Sequence, residues 1–216
     1  MSKVRLNITM SLDGYVAGPE QSLENPLGIG GQALHEWAFA TRAFREAHGM
    51  DEIEAGPDEE HAVRIAENVG ATIMGRNMFG PVRGEWGGTD WTGWWGDDPP
   101  YHTPVFVLTH HAREALELQG GTTFHFVTDG IEAALERATD AAGDRDVSIG
   151  GGAETAKQYL RAGLVDELDV HVAPLLLGSG ARLFENVDVA PAGFECVRLV
   201  SSPAAAHFSY VRMPRA

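Results

Sequence analysis

The chain has 216 residues, 44% of them hydrophobic, and a formal net charge of -15 from 16 Lys and Arg against 31 Asp and Glu. That acidity repels nucleic acid and anionic membrane surfaces at neutral pH and excludes both as main partners, so an anionic ligand needs a local positive site. No apolar run approaches the roughly 20 residues that span a bilayer, and Cys196 stands alone, without a partner for an internal disulfide. A strand-like run at the N-terminus, where a secretory protein has an apolar signal segment, makes the cytoplasm the expected compartment.

Short runs rich in β-branched and aromatic residues predict eight strands, at residues 3–10, 71–74, 104–108, 123–127, 146–149, 168–173, 194–200 and 205–213. Helical periodicity lies between several of them, at 32–47, 59–68, 131–142 and 153–162. Strands alternating with helices imply βαβ crossovers and an α/β fold with a mostly parallel sheet. The last two strands are joined by Ser201-Ser202-Pro203, which suits an antiparallel hairpin, so the expected sheet is mixed. No repeat or linker divides the chain, and a single domain over 1–216 is expected. Two stretches stand outside this scheme. Residues 19–58 read as an insertion holding an aromatic amphipathic helix with Leu34, Trp37, Phe39 and Phe44, while 81–103 form a loop with four of the five tryptophans, Trp86, Trp91, Trp94 and Trp95. Such a loop covers a site or makes an interface, or its aromatics pack it onto the domain. The amphipathic helix and the tryptophans together suggest a homodimer.

Along the chain, the chemistry-bearing motifs fall at strand ends. Thr9 to Gly18 carries Asp13-Gly14, a common turn pair. Ile73-Met74-Gly75-Arg76-Asn77 runs from a strand through glycine into a short helix and delivers an arginine where ligands of open α/β sheets collect; it suits a phosphate or is an ordinary surface arginine. Val107-Leu108-Thr109-His110-His111 adds a hydroxyl and two imidazoles, but adjacent histidines point apart and no cysteine is near, so no metal is expected. In Val147 to Glu154 three glycines follow a buried strand and open a helix, which is either a tight turn or a cradle for a diphosphate held by the helix's free N–H groups. The Rossmann spacing is absent.

Taken in order, SLDGYVAG at 11–18, MGR at 74–76, VFVLTHH at 105–111, FVTDGIEAAL at 126–135, IGGGAETAKQYL at 149–160 and the closing hairpin resemble the dihydrofolate reductase superfamily over nearly the whole chain. LVDEL at 164–168 and PLLLGSG at 174–180 look more like the reductase domain of the bifunctional deaminase-reductase of riboflavin synthesis than like folate-reducing enzymes. The resemblance implies a dihydrofolate reductase-like three-layer fold with helices on both faces of the sheet, and an NADPH-dependent reductase of a small heterocyclic, carbonyl or imine substrate. It places Gly150, Gly151, Gly152, Ala153 and Glu154 at the NADPH diphosphate, flanked by Gly75, Arg76 and Asn77. Arg76, Thr109 and His110 would meet the 2′-phosphate, Thr128 and Asp129 the adenosine end, and Ala17 the nicotinamide. Asp13, Trp94 and His171 are the candidate substrate contacts; His171 reads equally as a core histidine. Asp13 and Glu59 are the candidate catalytic acids, although Asp58-Glu59-Glu60 is also what a helix dipole favours at its start. The deaminase partner's zinc-binding cysteines are absent. A dihydrofolate reductase and a non-catalytic nucleotide- or flavin-binding module are the alternatives.

Overall fold

The computed structural model describes residues 2–80, 84–87, 90–185 and 193–214; residues 81–83 and 88–89 of the tryptophan-rich loop lie outside them. In chain order the strands are β1 Val4–Ser11, β2 Tyr15–Ala17, β3 Val69–Gly75, β4 Pro104–Leu108, β5 Leu116–Glu117 and β6 Thr123–Val127. They continue with β7 Asp146–Gly151, β8 Glu167–Ala173, β9 Ala181–Arg182, β10 Phe194–Ser201 and β11 Ala206–Arg212. The helices are α1 Glu36–Phe39, α2 Arg42–Ala47, α3 Glu59–Ala66, α4 Arg76–Phe79, α5 Ile131–Ala142 and α6 Ala153–Ala162. All eight expected strands are present, in a mixed α/β fold with a largely parallel sheet and a C-terminal antiparallel hairpin.

Contacts divide the chain into two compact units, the first made of Met1–Leu6 and Asn68–Leu164, the second of Asn7–Glu67 and Val165–Ala216. The first unit orders its strands β1-β7-β3-β4-β6-β5, parallel except for the short antiparallel edge β5. Parallel strands buried on both faces read as apolar runs, and Ala71, Ile73, Met74, Val105, Val107, Phe124, Val147 and Ile149 are buried accordingly. Met74, Phe79, Val105, Val107 and Phe124 form one apolar cluster, against which Trp86, Trp91 and Trp95 pack. Trp86, Trp91 and Trp95 therefore contribute to this core: Trp91 donates to the Phe79 carbonyl at 3.0 Å and Trp86 to that of His111 at 2.8 Å.

In the second unit β11 pairs antiparallel with both β8 and β10. Its core includes Trp37, Ala38, Ala62 and Ala205. The single helix expected over 32–47 is broken into a 3-10 turn at Gly31–His35, α1 and α2. Thr41 causes the last break: its backbone is extended and its hydroxyl accepts from the Phe44 N–H at 3.3 Å, which makes it the N-cap of a new helix. Three glycines of this unit meet backbone to backbone. A Cβ at Gly18 would strike the Ile29 carbonyl, one at Gly28 the Gly18 carbonyl, and one at Gly180 the Ala17 carbonyl.

Candidate functional site

The ladder register of the first unit lines up four strand ends. Met74 of β3 pairs with Gly151 of β7, Gly75 with Leu108 of β4, and Leu108 with Val127 of β6. The residues that follow these ends are Gly152, Arg76, Thr109 and Thr128, so the structure brings to one sheet edge the groups expected at the diphosphate and phosphate. Gly151 has φ +108, and a Cβ on Gly151 or Gly152 would meet nothing within 4 Å, which leaves open space where a side chain would stand. Ala153 then starts α6, whose first-turn N–H groups have no intrahelical acceptor and carry the positive end of the helix dipole. Open space in place of side chains and helix-start donors together fit a diphosphate. Gly75 serves packing instead, because a Cβ there would collide with the Thr155 hydroxyl of α6, so glycine permits the close helix-strand approach.

Asn77, His110, Thr128 and Asp129 are exposed, whereas Thr109 is buried and its hydroxyl accepts from the His111 N–H at 3.2 Å. Arg76 lies over Trp86, with its guanidinium carbon 3.7 Å from the ring centroid. This cation–π contact holds the guanidinium in place at the end of β3. Arg113, which the sequence reading overlooked, faces the same Trp86 ring at 5.1 Å. Glu154 pairs with the buried ammonium of Lys157, and Asp129 with Arg137 at 2.6 Å. Trp94 is half-buried with its ring edge-on to Trp91 at 4.8 Å.

The remaining expected residues belong to the second unit, where Ala17 is buried at the end of β2. Asp13 is held by the Ser11 hydroxyl at 2.5 Å, the Gly178 N–H at 2.7 Å and the Leu177 N–H at 3.1 Å. The Ser11 hydrogen bond, then those of the two amides, hold its carboxyl down at about 2. A group so acidic carries no proton at neutral pH, and its visible work is tying the 11–14 turn to the 177–178 loop. Glu59 is likewise committed: its carboxylate accepts from the N–H groups of Arg42 at 2.8 Å and Ala43 at 2.9 Å and so caps α2.

His171 is 1% exposed and belongs to a buried cluster that the sequence reading missed. It stands directly opposite His207 in the β8–β11 ladder, and their Nδ1 atoms are 2.7 Å apart. His207 Nε2 lies 2.9 Å from Asp58 Oδ1, His171 Nε2 lies 3.2 Å from Asn7 Oδ1, and the His61 ring stacks on His207 at 3.9 Å. Trp37 covers the group, 4.5 Å from the His171 ring, with its indole N–H on Thr9 at 3.2 Å. Burial, with neighbouring His207, His61 and His35, pushes His171 well below the ordinary imidazole range. Sequence reasoning weighed only His110 and His111 for a metal; among the described residues the group placed to hold one is His61, His171 and His207.

Several solved structures share the fold of this chain. A putative riboflavin biosynthesis protein from Shewanella sp. PV-4 is 22% identical, with 98% of this chain and 99% of that one covered at a TM-score of 0.66. A Thermotoga maritima diaminohydroxyphosphoribosylaminopyrimidine deaminase/5-amino-6-(5-phosphoribosylamino)uracil reductase is 14% identical, and 98% of this chain covers 56% of it at 0.55. Dihydrofolate reductase from Enterococcus faecalis, complexed with NADP(H), is 12% identical, with coverage of 97% and 96% at 0.51. These likenesses establish a dihydrofolate reductase-like fold. No curated protein matches the chain. The family model of the RibD C-terminal domain matches residues 2–206, and the chain belongs to that family.

Proposed function

We propose that the chain is an NADPH-dependent reductase that delivers hydride to a small heterocyclic, carbonyl or imine substrate, of the kind reduced by 5-amino-6-(5-phosphoribosylamino)uracil reductases. The observation that carries this reading is the register of the first unit, which sets the open Gly151-Gly152 backbone beside Arg76, Thr109 and Thr128 at one sheet edge. Membership of the RibD C-terminal domain family supports a reductase-type activity.

Bound NADPH supplies the hydride; the protein's residues bind, orient and exclude water. Gly150, Gly151, Gly152, Ala153 and Glu154 hold the diphosphate through backbone N–H groups, with Gly75 and Asn77 alongside. Arg76, held over Trp86, supplies the charge for the 2′-phosphate, with Thr109 and His110 as further donors. Thr128 and Asp129 border the adenosine. The commitments of Asp13 and Glu59 disfavour both as proton donors and count against a folate-reducing enzyme that relies on an acid at Glu59. A homodimer in the cytoplasm is part of this reading; exposed Val197 and Leu199 on β10 are apolar surface that a second copy would cover, and light scattering measures it.

The test is a titration with NADPH and NADH, followed by tryptophan fluorescence and energy transfer to the nicotinamide. Tight NADPH-selective binding is expected. Arg76→Ala is expected to weaken NADPH about 10- to 100-fold, the worth of charge-assisted hydrogen bonds, and to leave NADH unchanged. A variant with undiminished preference for NADPH would falsify the phosphate assignment, and binding without turnover of any candidate substrate would make the protein a nucleotide-binding module.

A further inference from the structure

We propose that His61, His171 and His207 form a binding site for a first-row divalent transition cation, with Zn²⁺ as the reference case. The rings arrive from α3, β8 and β11, all three are buried, and one nitrogen of each lies within 4.8 Å of the other two.

The acceptors facing the rings bear on which nitrogens carry lone pairs. The Asp58 carboxylate accepts, so His207 donates through Nε2, and the neutral ring is left with a bare Nδ1. His171 Nε2 lies 3.2 Å from Asn7 Oδ1, and the tautomer that donates there leaves its Nδ1 bare as well. Those two Nδ1 atoms are 2.7 Å apart, and with both rings in these tautomers their lone pairs repel unless positive charge lies between them. A third nitrogen, His61 Nε2, is buried with no hydrogen-bond partner among the described residues. One shared proton satisfies the first two nitrogens and leaves His61 orphaned. One cation satisfies all three.

The chemistry of the set agrees. Imidazole nitrogens suit zinc, copper, nickel and iron, and Asp58 behind His207 is the carboxylate that orients a ligating histidine. Zinc bonds of about 2.0–2.1 Å set tetrahedral ligand nitrogens roughly 3.3 Å apart. Binding therefore opens the 2.7 Å pair slightly and draws His61 inward, out of its parallel stack on His207. Three protein ligands leave one coordination position open.

Chelator-stripped protein titrated with Co²⁺, and with Zn²⁺ against a chromogenic chelator, tests the site. One equivalent of Co²⁺ with the visible bands of a four-coordinate ion, displaced by Zn²⁺, is expected. Asp58→Asn should lower Zn²⁺ affinity about 10- to 100-fold, as loss of an orienting partner does, and His61→Gln at least as much, whereas the double variant His48→Ala/His111→Ala on the surface should bind unchanged. Absence of stoichiometric binding by the unmodified protein overturns the proposal, as does binding that survives His61→Gln and disappears with the surface histidines. Should His61→Gln not fold, imidazole ¹⁵N shifts of the unmodified protein decide. Zn²⁺-induced changes at Nδ1 of His171 and His207 support the site, and changes confined to surface rings overturn it.

Discussion

Asn77, His110, Thr128 and Asp129 of the first unit are exposed at the ends of parallel strands, whereas His61, His171, His207 and Asp58 of the second are buried. The same residue types thus serve two physical ends. At the strand ends, exposed polar groups keep their water until a ligand replaces it, and a Cβ at Gly151 or Gly152 would meet nothing. In the buried cluster each polar atom must find a partner inside the protein or carry the desolvation cost of lacking one. A strand-end site is therefore tuned by single residues, and a buried cluster stands or falls as a set.

The sharpest way to break this contrast uses one tryptophan from each unit. Trp37 is 2% exposed and roofs the histidines, so Trp37→Ala is expected to cost about 3–5 kcal/mol, the range for removing a buried large aromatic. Trp94 is half-buried in a loop, and Trp94→Ala is expected to cost less than about 1 kcal/mol. Urea denaturation of both variants measures the gap; equal losses would show that the loop is as deeply committed to its core as the histidine roof. At the strand ends, Gly152→Ala puts a methyl group into the open cradle and is expected to weaken NADPH about 10-fold, on the scale of a lost charge-assisted hydrogen bond, as read by the same fluorescence titration. An unchanged affinity would move the diphosphate elsewhere. The smallest effect is that of Asp13, whose carboxyl has an ordinary value of 3.8 and is held at about 2. The unfolded chain takes up this proton first, so the stabilisation is complete above about pH 4 and is lost as pH falls through about 2. Hydrogen exchange at the Leu177 and Gly178 amides should lose protection over that window, and Asp13→Asn should remove the pH dependence.

The first unit was legible because its signals are local. A buried parallel strand is an apolar run, and the glycine or arginine that follows it is its neighbour in sequence, so Met74-Gly75-Arg76 and Ile149-Gly150-Gly151-Gly152 announce themselves. Strands β2, β5 and β9, of two or three residues, are too short for any period to register. The histidine cluster has no local signature. His61, His171 and His207 are single residues on three elements, and only the antiparallel register that sets His171 opposite His207 unites two of them. The acids before α3 misled for a related reason. Their composition suits a helix dipole, yet Asp58 serves His207, Glu59 caps α2 and Glu60 pairs with Arg198, none of which is adjacent in sequence.

Gly18 and Gly28 meet across one local turn, whereas Gly180 comes from far along the chain, so the backbone seam it completes against Ala17 and Gly18 closes only after the intervening segments have been ordered. Contacts of such long sequence separation carry the largest loop-closure cost and tend to form late. An interaction absent from the folding transition state governs how fast the native protein comes apart rather than how fast it assembles. Gly180 thus makes the seam a brake on unfolding: a side chain there is expected to shorten the lifetime of the native state while leaving the refolding rate nearly unchanged.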